Sequence, residues 1–362
     1  MRILLLSPYD AMSHQYWHQR LIADLTALSL IEGSVEGSTE IVLVTLPPRF
    51  FSWRFRGNSL TLSQHKRVAG QKFDLVIATS MTDLSALIGM APNLAGTPSA
   101  LYFHENQFAY PDPNQSYQVE RQITSIYSAL AASALIFNSN FNLNSFLEGT
   151  ARLLAKLPDG VPADIESQLR QKARVISVPI DTPDPLAQGT SLTQGLVLVW
   201  NHRWEYDKGL DELIVLLNLV KQKIPAFKCH VIGQSFRSIP AQMETVRNLL
   251  GDSLGEFGFV PTREAYLTLL SNSDIVLSTA RQEFQGIAVL EAIAAGCTPV
   301  VPDSLAYQEF VPENNRYKTP EAALRMISLY DKKIPKLSKL PPQLSPSRVR
   351  DQWRQLLDEL LQ

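Results

Sequence analysis

Apolar and polar positions alternate along the chain in two repeating lengths. Short apolar runs at Arg2–Leu6, Ile41–Leu46, Phe73–Ala78, Ser99–Phe103 and Ala134–Phe137 have strand length and little internal alternation, as strands buried on both faces do. Longer stretches between them carry apolar residues at helical spacing. His14–Leu30 places Trp17, Leu21, Leu25 and Leu28 on one face; Gln115–Ala132 and Asn142–Leu147 read as further helices, the latter capped by Ser139 or Asn140. Leu157–Val178 holds one more helix and a strand, Val175–Val178. The pattern then breaks at Pro179–Gln194, rich in Pro, Ser and Thr and without apolar periodicity. It starts again with strands at Leu196–Trp200, Phe227–Ile232, Asp274–Ser278 and Thr298–Val301. Helices at Leu210–Lys223, Ala241–Leu250, Thr262–Leu270 and Gly286–Ala295 alternate with them. A helix at Glu321–Leu329, a basic Pro-rich loop (Lys332–Pro346) and an amphipathic helix at Ser347–Leu361 end the chain.

Strand–helix alternation predicts parallel sheets covered by helices, so the fold class is α/β with two doubly wound, Rossmann-like domains. Residues 1–178 form the first domain, 179–194 a linker, 195–330 the second domain, and 331–362 a basic loop and C-terminal helix. Loops after the strand C-termini are where such sheets bind ligands.

Composition narrows the class. A chain of 362 residues with 45% hydrophobic and 19% charged content has length for two cores. A net charge of −2 exerts no global pull toward nucleic acid or anionic membrane, so any such contact rests on a local patch. No apolar run reaches the roughly eighteen residues of a membrane span, and Met1–Leu6 breaks at Pro8 too early for a signal peptide. The two cysteines, Cys229 and Cys297, lie in apolar surroundings without metal spacing, which points to a reducing compartment and a cytoplasmic location.

The candidate chemistry sits on those post-strand loops. Glu283 precedes a helix start at Gly286, and Glu291 lies inside that helix. A carboxylate within an apolar helix is costly to bury unless something hydrogen-bonds to it. The free N–H groups of the helix start favour an anion. Two hydroxyl-holding carboxylates beside a phosphate site suit a nucleotide sugar, while an ordinary βαβ unit with both carboxylates in solvent is the alternative. Arg203 and Lys208 flank the first turn of the second half, two cations suited to a diphosphate leaving group.

In the first half, the strand Ser99–Phe103 runs into His104, Glu105, Asn106 and Gln107. There His104 could shuttle a proton or donate to phosphate, and the other three could read hydroxyls or a base; capping of the next helix is the competing role. Ser13 and His14, in the loop after the first strand, are candidate acceptor contacts, although a histidine there is solvent-exposed by default. Between Pro47 and Asn58, Arg49, Arg54 and Arg56 interleave with Phe50, Phe51, Trp53 and Phe55. Guanidinium groups pair phosphate and exposed rings stack on unpaired bases, so this is a candidate RNA or acceptor contact; an amphipathic edge element burying its rings is the alternative.

The stretch Glu283-Phe284-Gln285-Gly286-Ile287 through Glu291 resembles the E-x7-E signature of retaining GT-B glycosyltransferases of the family 4 type. The resemblance implies that Glu283 contacts the donor sugar, Glu291 the ribose, and the helix start the diphosphate. It also implies that an Arg/Lys pair, here Arg203 and Lys208, faces the leaving group, and that Gly258-Phe259-Val260 packs on the nucleobase. The motif HENQ-x-x-YP at His104–Pro111, with Trp53–Arg56 and Asn201–Lys208, is similar to the tRNA-queuosine α-mannosyltransferase family over nearly the whole chain. That resemblance implies mannose transfer from GDP-mannose to the cyclopentene hydroxyl of queuosine in a tRNA anticodon loop, with retention. The expected partners are a nucleotide-sugar donor and tRNA. No resident cofactor is expected; with no Asp-x-Asp motif, Arg203 and Lys208 are expected to replace a divalent metal. Two other readings stay open: a GT-B transferase with another donor and a non-tRNA acceptor, and a non-catalytic RNA-binding protein of the same fold.

Overall fold

The computed structural model describes residues 1–31, 39–109, 118–182, 195–234, 239–330 and 340–362. Tyr110, Pro111, most of the linker (183–194) and much of the basic loop (331–339) lie outside them. The chain divides into two compact units, Met1–Val178 with Ser347–Gln362, and Pro179–Pro346.

The first unit is a six-stranded parallel sheet. Its strands are β1 (Arg2–Ser7), β2 (Glu40–Thr45), β3 (Leu75–Thr79), β4 (Ser99–Phe103), β5 (Ala134–Phe137) and β6 (Ala173–Val175), in the order β2-β1-β3-β4-β5-β6. Strands β3, β4 and β5 are buried at every residue, which is why their sequences run apolar without alternation. Helices α1 (Met12–Ile31), α2 (Phe51–Ser63), α3 (Leu84–Met90), α4 (Gln118–Ala131), α5 (Asn140–Leu154) and α6 (Ile165–Gln171) complete the layers. Several bounds differ from the sequence pattern. The oxygen of Ser139 accepts from the Asn142 amide at 3.0 Å, and the helix it caps runs on to Leu154 rather than Leu147. The last strand sits at Ala173–Val175, not Val175–Val178, because pairing with β5 ends once Phe137 is matched to Val175.

The second unit contains β7 (Leu196–Asn201), β8 (Phe227–Ile232), β9 (Leu254–Gly258), β10 (Ile275–Leu277), β11 (Thr298–Pro302) and β12 (Arg316–Tyr317). They pair in parallel in the order β12-β11-β10-β7-β8-β9. Helices α7 (Leu210–Lys223), α8 (Ala241–Leu250), α9 (Arg263–Ser271), α10 (Ile287–Ala294), α11 (Tyr307–Phe310) and α12 (Pro320–Ser328) cover it. Leu198, Trp200, Leu213, Leu217, Val231, Ile275 and Leu277 form the centre of its core.

Helix α13 (Pro346–Leu361) packs on the first unit. Its Trp353 ring stacks 6.1 Å from Tyr102, Arg350 Nε meets Asp24 at 3.1 Å, and Glu359 pairs with Arg174 at 2.7 Å.

Connections run to one side of the sheet from β1 and from β7, and to the other side from β3 and from β10. In each unit the crevice at that switch, outside the strand C-termini, is where a doubly wound sheet holds ligand. In the second unit it lies between the loops after β7 and β10; in the first, the loops after β1, β3 and β4 surround it.

Candidate active site

The loops after β7 and β10 are locked together before any ligand is considered. Gly209 adopts φ +66°, and a Cβ there would lie 1.9 Å from the Thr279 carbonyl oxygen. Thr279 Oγ1 donates to the Lys208 carbonyl at 2.9 Å, and the Arg281 amide to the Asp207 carbonyl at 2.9 Å. This approach brings together residues some seventy-five positions apart. Lys208 Nζ donates to the Gln282 carbonyl at 2.8 Å and lies 3.1 Å from Asp207 Oδ2 and 3.2 Å from Glu283 Oε2. A buried ammonium between two carboxylates and a carbonyl is compensated charge, and its removal would strand Asp207, which is only 1% exposed. His202 Nδ1 is 4.0 Å from Glu283 Oε2. Burial, then the nearby Lys208 charge, pushes the His202 pKa down to about 3, so it is neutral. Arg203, on the same loop, is exposed and pairs with Glu205 at 3.1 Å, so the two cations differ in setting.

Gly286 adopts φ +80° and caps α10; a Cβ there would meet the Tyr307 ring at 3.0 Å. Phe284 and Gln285 are buried, and Ile287 is half-buried. Glu291, one turn into α10, is 8% exposed. Its cost is met on both oxygens: Arg263 Nη1 reaches Oε1 at 2.6 Å and the Tyr266 hydroxyl donates to Oε2 at 2.7 Å. Both partners come from α9, which follows Gly258 (φ +119°), half-buried Val260 and exposed Phe259. Among the described residues no cluster of three or more His, Cys, Asp or Glu could hold a metal ion.

In the first unit the expected exposure of His14 is wrong. It is 3% exposed and stacks on His104 with ring centroids 4.1 Å apart, because the loop after β4 folds over the start of α1. Trp17 and Tyr102 complete the surround, at 4.9 and 4.8 Å from the His104 ring. Burial, followed by the neighbouring His14 and His18, holds the His104 pKa well below its ordinary value. One turn beyond His14, His18 Nε2 lies 3.1 Å from Asp10, which also accepts from Ser7 at 2.8 Å. Burial raises the Asp10 pKa, but the His18 and Ser7 hydrogen bonds and the histidine charges lower it on balance.

Asn106 is not available to read hydroxyls. Its Nδ2 donates to Asn142 and Ser145 and its Oδ1 accepts the Phe108 and Ala109 amides, so it folds the loop. Glu105 and Gln107 beside it are half-buried, and Ser13 is exposed.

The arginine–aromatic stretch is the start of a helix, not an edge element. Phe55 is buried while Phe50 and Trp53 are 66% and 54% exposed. Arg49 and Arg56 are exposed, Arg54 is half-buried, and Arg56 Nη1 donates to Thr124 on α4 at 2.7 Å.

Sequence reasoning passed over Asp207, His202, Arg263, Tyr266, Asp10 and His18. The His-x-x-x-His spacing of His14 and His18, one helical turn, was the one available local signal. The others depend on which strand neighbours which.

Two doubly wound parallel sheets, one with a Lys–Glu pair at its switch point beside a glycine-capped helix start, are the arrangement of a GT-B glycosyltransferase. Residues 187–325 match the family model of glycosyl transferases group 1, and residues 2–180 match that of the tRNA-queuosine alpha-mannosyltransferase N-terminal domain. The Drosophila melanogaster tRNA-queuosine alpha-mannosyltransferase is 34% identical over 335 residues, 90% of this chain and 85% of that protein. A Xanthomonas oryzae GDP-mannose:cellobiosyl-diphosphopolyprenol alpha-mannosyltransferase is 23% identical over 46% of this chain and 44% of its own. Among solved structures, Anabaena HepE in complex with UDP and glucose has a TM-score of 0.69 at 14% identity, covering 99% of this chain and 100% of that one. The Thermosynechococcus elongatus sucrose-phosphate synthase also scores 0.69 at 14% identity, covering 99% of each chain. These two show the fold. The chain belongs to the tRNA-queuosine alpha-mannosyltransferase family. Among the described residues no helix is long and apolar enough to cross a membrane.

Proposed function

We propose that the chain transfers mannose from GDP-mannose to the cyclopentene hydroxyl of queuosine in a tRNA anticodon loop, retaining the anomeric configuration. The observation that carries this reading is the contact of the buried Lys208 ammonium with Glu283 beside the α10 helix start, in a chain of this family. Lys208, Arg203 and the free amides after Gly286 hold the diphosphate and stabilise the charge that grows on it as the glycosidic bond breaks. The ammonium, between Asp207 and Glu283, offsets one of their two negative charges, and together with Arg203 and the α10 helix start it takes the place that a divalent metal's charge holds elsewhere.

Glu283 positions the sugar hydroxyls, and Glu291 accepts from the ribose hydroxyls. Gly258, Phe259 and Val260 meet the base. The acceptor hydroxyl attacks the anomeric carbon on the face the phosphate leaves, and its proton passes to the departing phosphate oxygen. The products are GDP and mannosylated queuosine. His104, kept neutral, offers a ring nitrogen to the sugar–phosphate region or the acceptor. At the start of α2 and just before it, Trp53 and Phe50 stack on unpaired bases while Arg49 and Arg56 pair phosphates. The test is transfer of labelled mannose from GDP-mannose to tRNA with and without queuosine. Label only in the queuosine-bearing tRNA supports the reading; label in both, or only with another nucleotide sugar, sinks it.

A further inference from the structure

Glu291 is held by a chain of groups with a defined direction. Asn201 Nδ2, at the end of β7, reaches the Tyr266 hydroxyl at 2.7 Å and the Ala288 carbonyl at 3.3 Å. A carbonyl only accepts, so the second contact orients the Asn201 amide with its N–H groups toward Tyr266. The Tyr266 oxygen therefore accepts from Asn201, and its single proton is aimed at Glu291 Oε2, 2.7 Å away. Burial first, then the Glu291 charge, raises the Tyr266 pKa well above its ordinary value, so that proton stays on. On the other carboxylate oxygen, Arg263 Nη1 lies at 2.6 Å, and its guanidinium carbon is 5.3 Å from the centroid of the Tyr266 ring one turn along α9. An ionised carboxylate has roughly four acceptor positions. One on each oxygen is taken, which leaves one on each, side by side.

From this arrangement we infer that Tyr266, aimed by Asn201 and assisted by Arg263, is a positioning residue that sets Glu291 to accept both hydroxyls of a vicinal diol. The site thereby selects a nucleoside diphosphate with an intact ribose. This rests on Glu291 being the ribose ligand. With Tyr266 absent, the carboxylate keeps its charge but loses the donor that fixes its plane, so discrimination for the diol falls while contacts to base and phosphates stay.

The test is calorimetric affinity for GDP and for 2′,3′-dideoxy-GDP, measured on the full chain and on Tyr266→Phe, Asn201→Ala and Glu291→Ala. The unaltered chain is expected to prefer GDP by at least about tenfold, the worth of a charge-assisted hydrogen bond. Glu291→Ala should abolish the preference. Tyr266→Phe should cut it to about threefold or less with dideoxy-GDP affinity within about twofold of the unaltered chain, an outcome that general loosening of the fold would not give. If the unaltered chain shows no preference, or Glu291→Ala keeps it, the ribose role fails and this inference with it. If Glu291→Ala behaves as expected but Tyr266→Phe keeps the full preference, the positioning role alone is overturned. Should Tyr266→Phe not fold, Asn201→Ala decides in the same way, because it leaves the hydroxyl but removes the group that aims it.

Discussion

Replacing Lys208 by methionine removes one charge and should cost both stability and catalysis. The Lys208 side chain is buried, and its ammonium lies 3.1 Å from Asp207 and 3.2 Å from Glu283. Asp207 is 1% exposed and its Oδ1 has no hydrogen-bond partner, so without Lys208 a buried carboxylate is left bare. Breaking a buried ion pair from one side costs about 3–5 kcal/mol. For a unit of this size that lowers the melting temperature by about 6–20 °C. Glu283→Gln is the informative contrast. Its side chain is 19% exposed, the shape is kept, and Lys208 retains Asp207 and the Gln282 carbonyl, so the stability cost is about 1 kcal/mol or less. Both variants should lose mannosyl transfer, Lys208→Met by about 10²–10³ in kcat through lost stabilisation of the leaving phosphate. The assays are calorimetric melting and steady-state transfer. A Lys208→Met protein that melts with the unaltered chain, or a Glu283→Gln protein that is equally destabilised, would show that Lys208 is not the group compensating Asp207.

Gly209→Ala should lower stability by more than about 2 kcal/mol and reduce transfer with it, since φ +66° is strained for alanine and its Cβ would strike the Thr279 carbonyl; urea unfolding checks this. His202 is neutral when folded, with its pKa down at about 3, while the unfolded chain takes up a proton near pH 6.5. The unfolded state therefore binds more protons below pH 6.5, and stability from this group should fall by about 1.4 kcal/mol per pH unit from 6.5 down toward 3, a slope His202→Gln should flatten. Trp53→Ala should weaken tRNA binding by about 1–3 kcal/mol in an electrophoretic or fluorescence assay without changing GDP affinity. Arg56→Gln should reduce the salt dependence of the same binding by close to one phosphate contact.

Part of this protein is encoded locally, in runs of a few residues. Runs such as Leu75–Thr79 and Ala134–Phe137 are apolar at every position because both faces of a parallel sheet are covered. Gly286 and Glu291 declare a helix start and a carboxylate in need of partners, whatever lies opposite. The strand-to-loop transition at His104 likewise marks a strand C-terminus, the end at which doubly wound sheets hold ligand. Which polar groups meet depends on strand order, and no local pattern carries that. Lys208 reaches Glu283 only because β10 pairs with β7. Arg263 and Tyr266 reach Glu291 only because α9 lies against α10. His14 is hidden because the loop after β4 closes over α1, and Asn106 turns inward because Asn142 and Ser145 present their oxygens to it. Periodicity records the face a residue shows to the core; the partner a buried charge finds there is settled by chain topology.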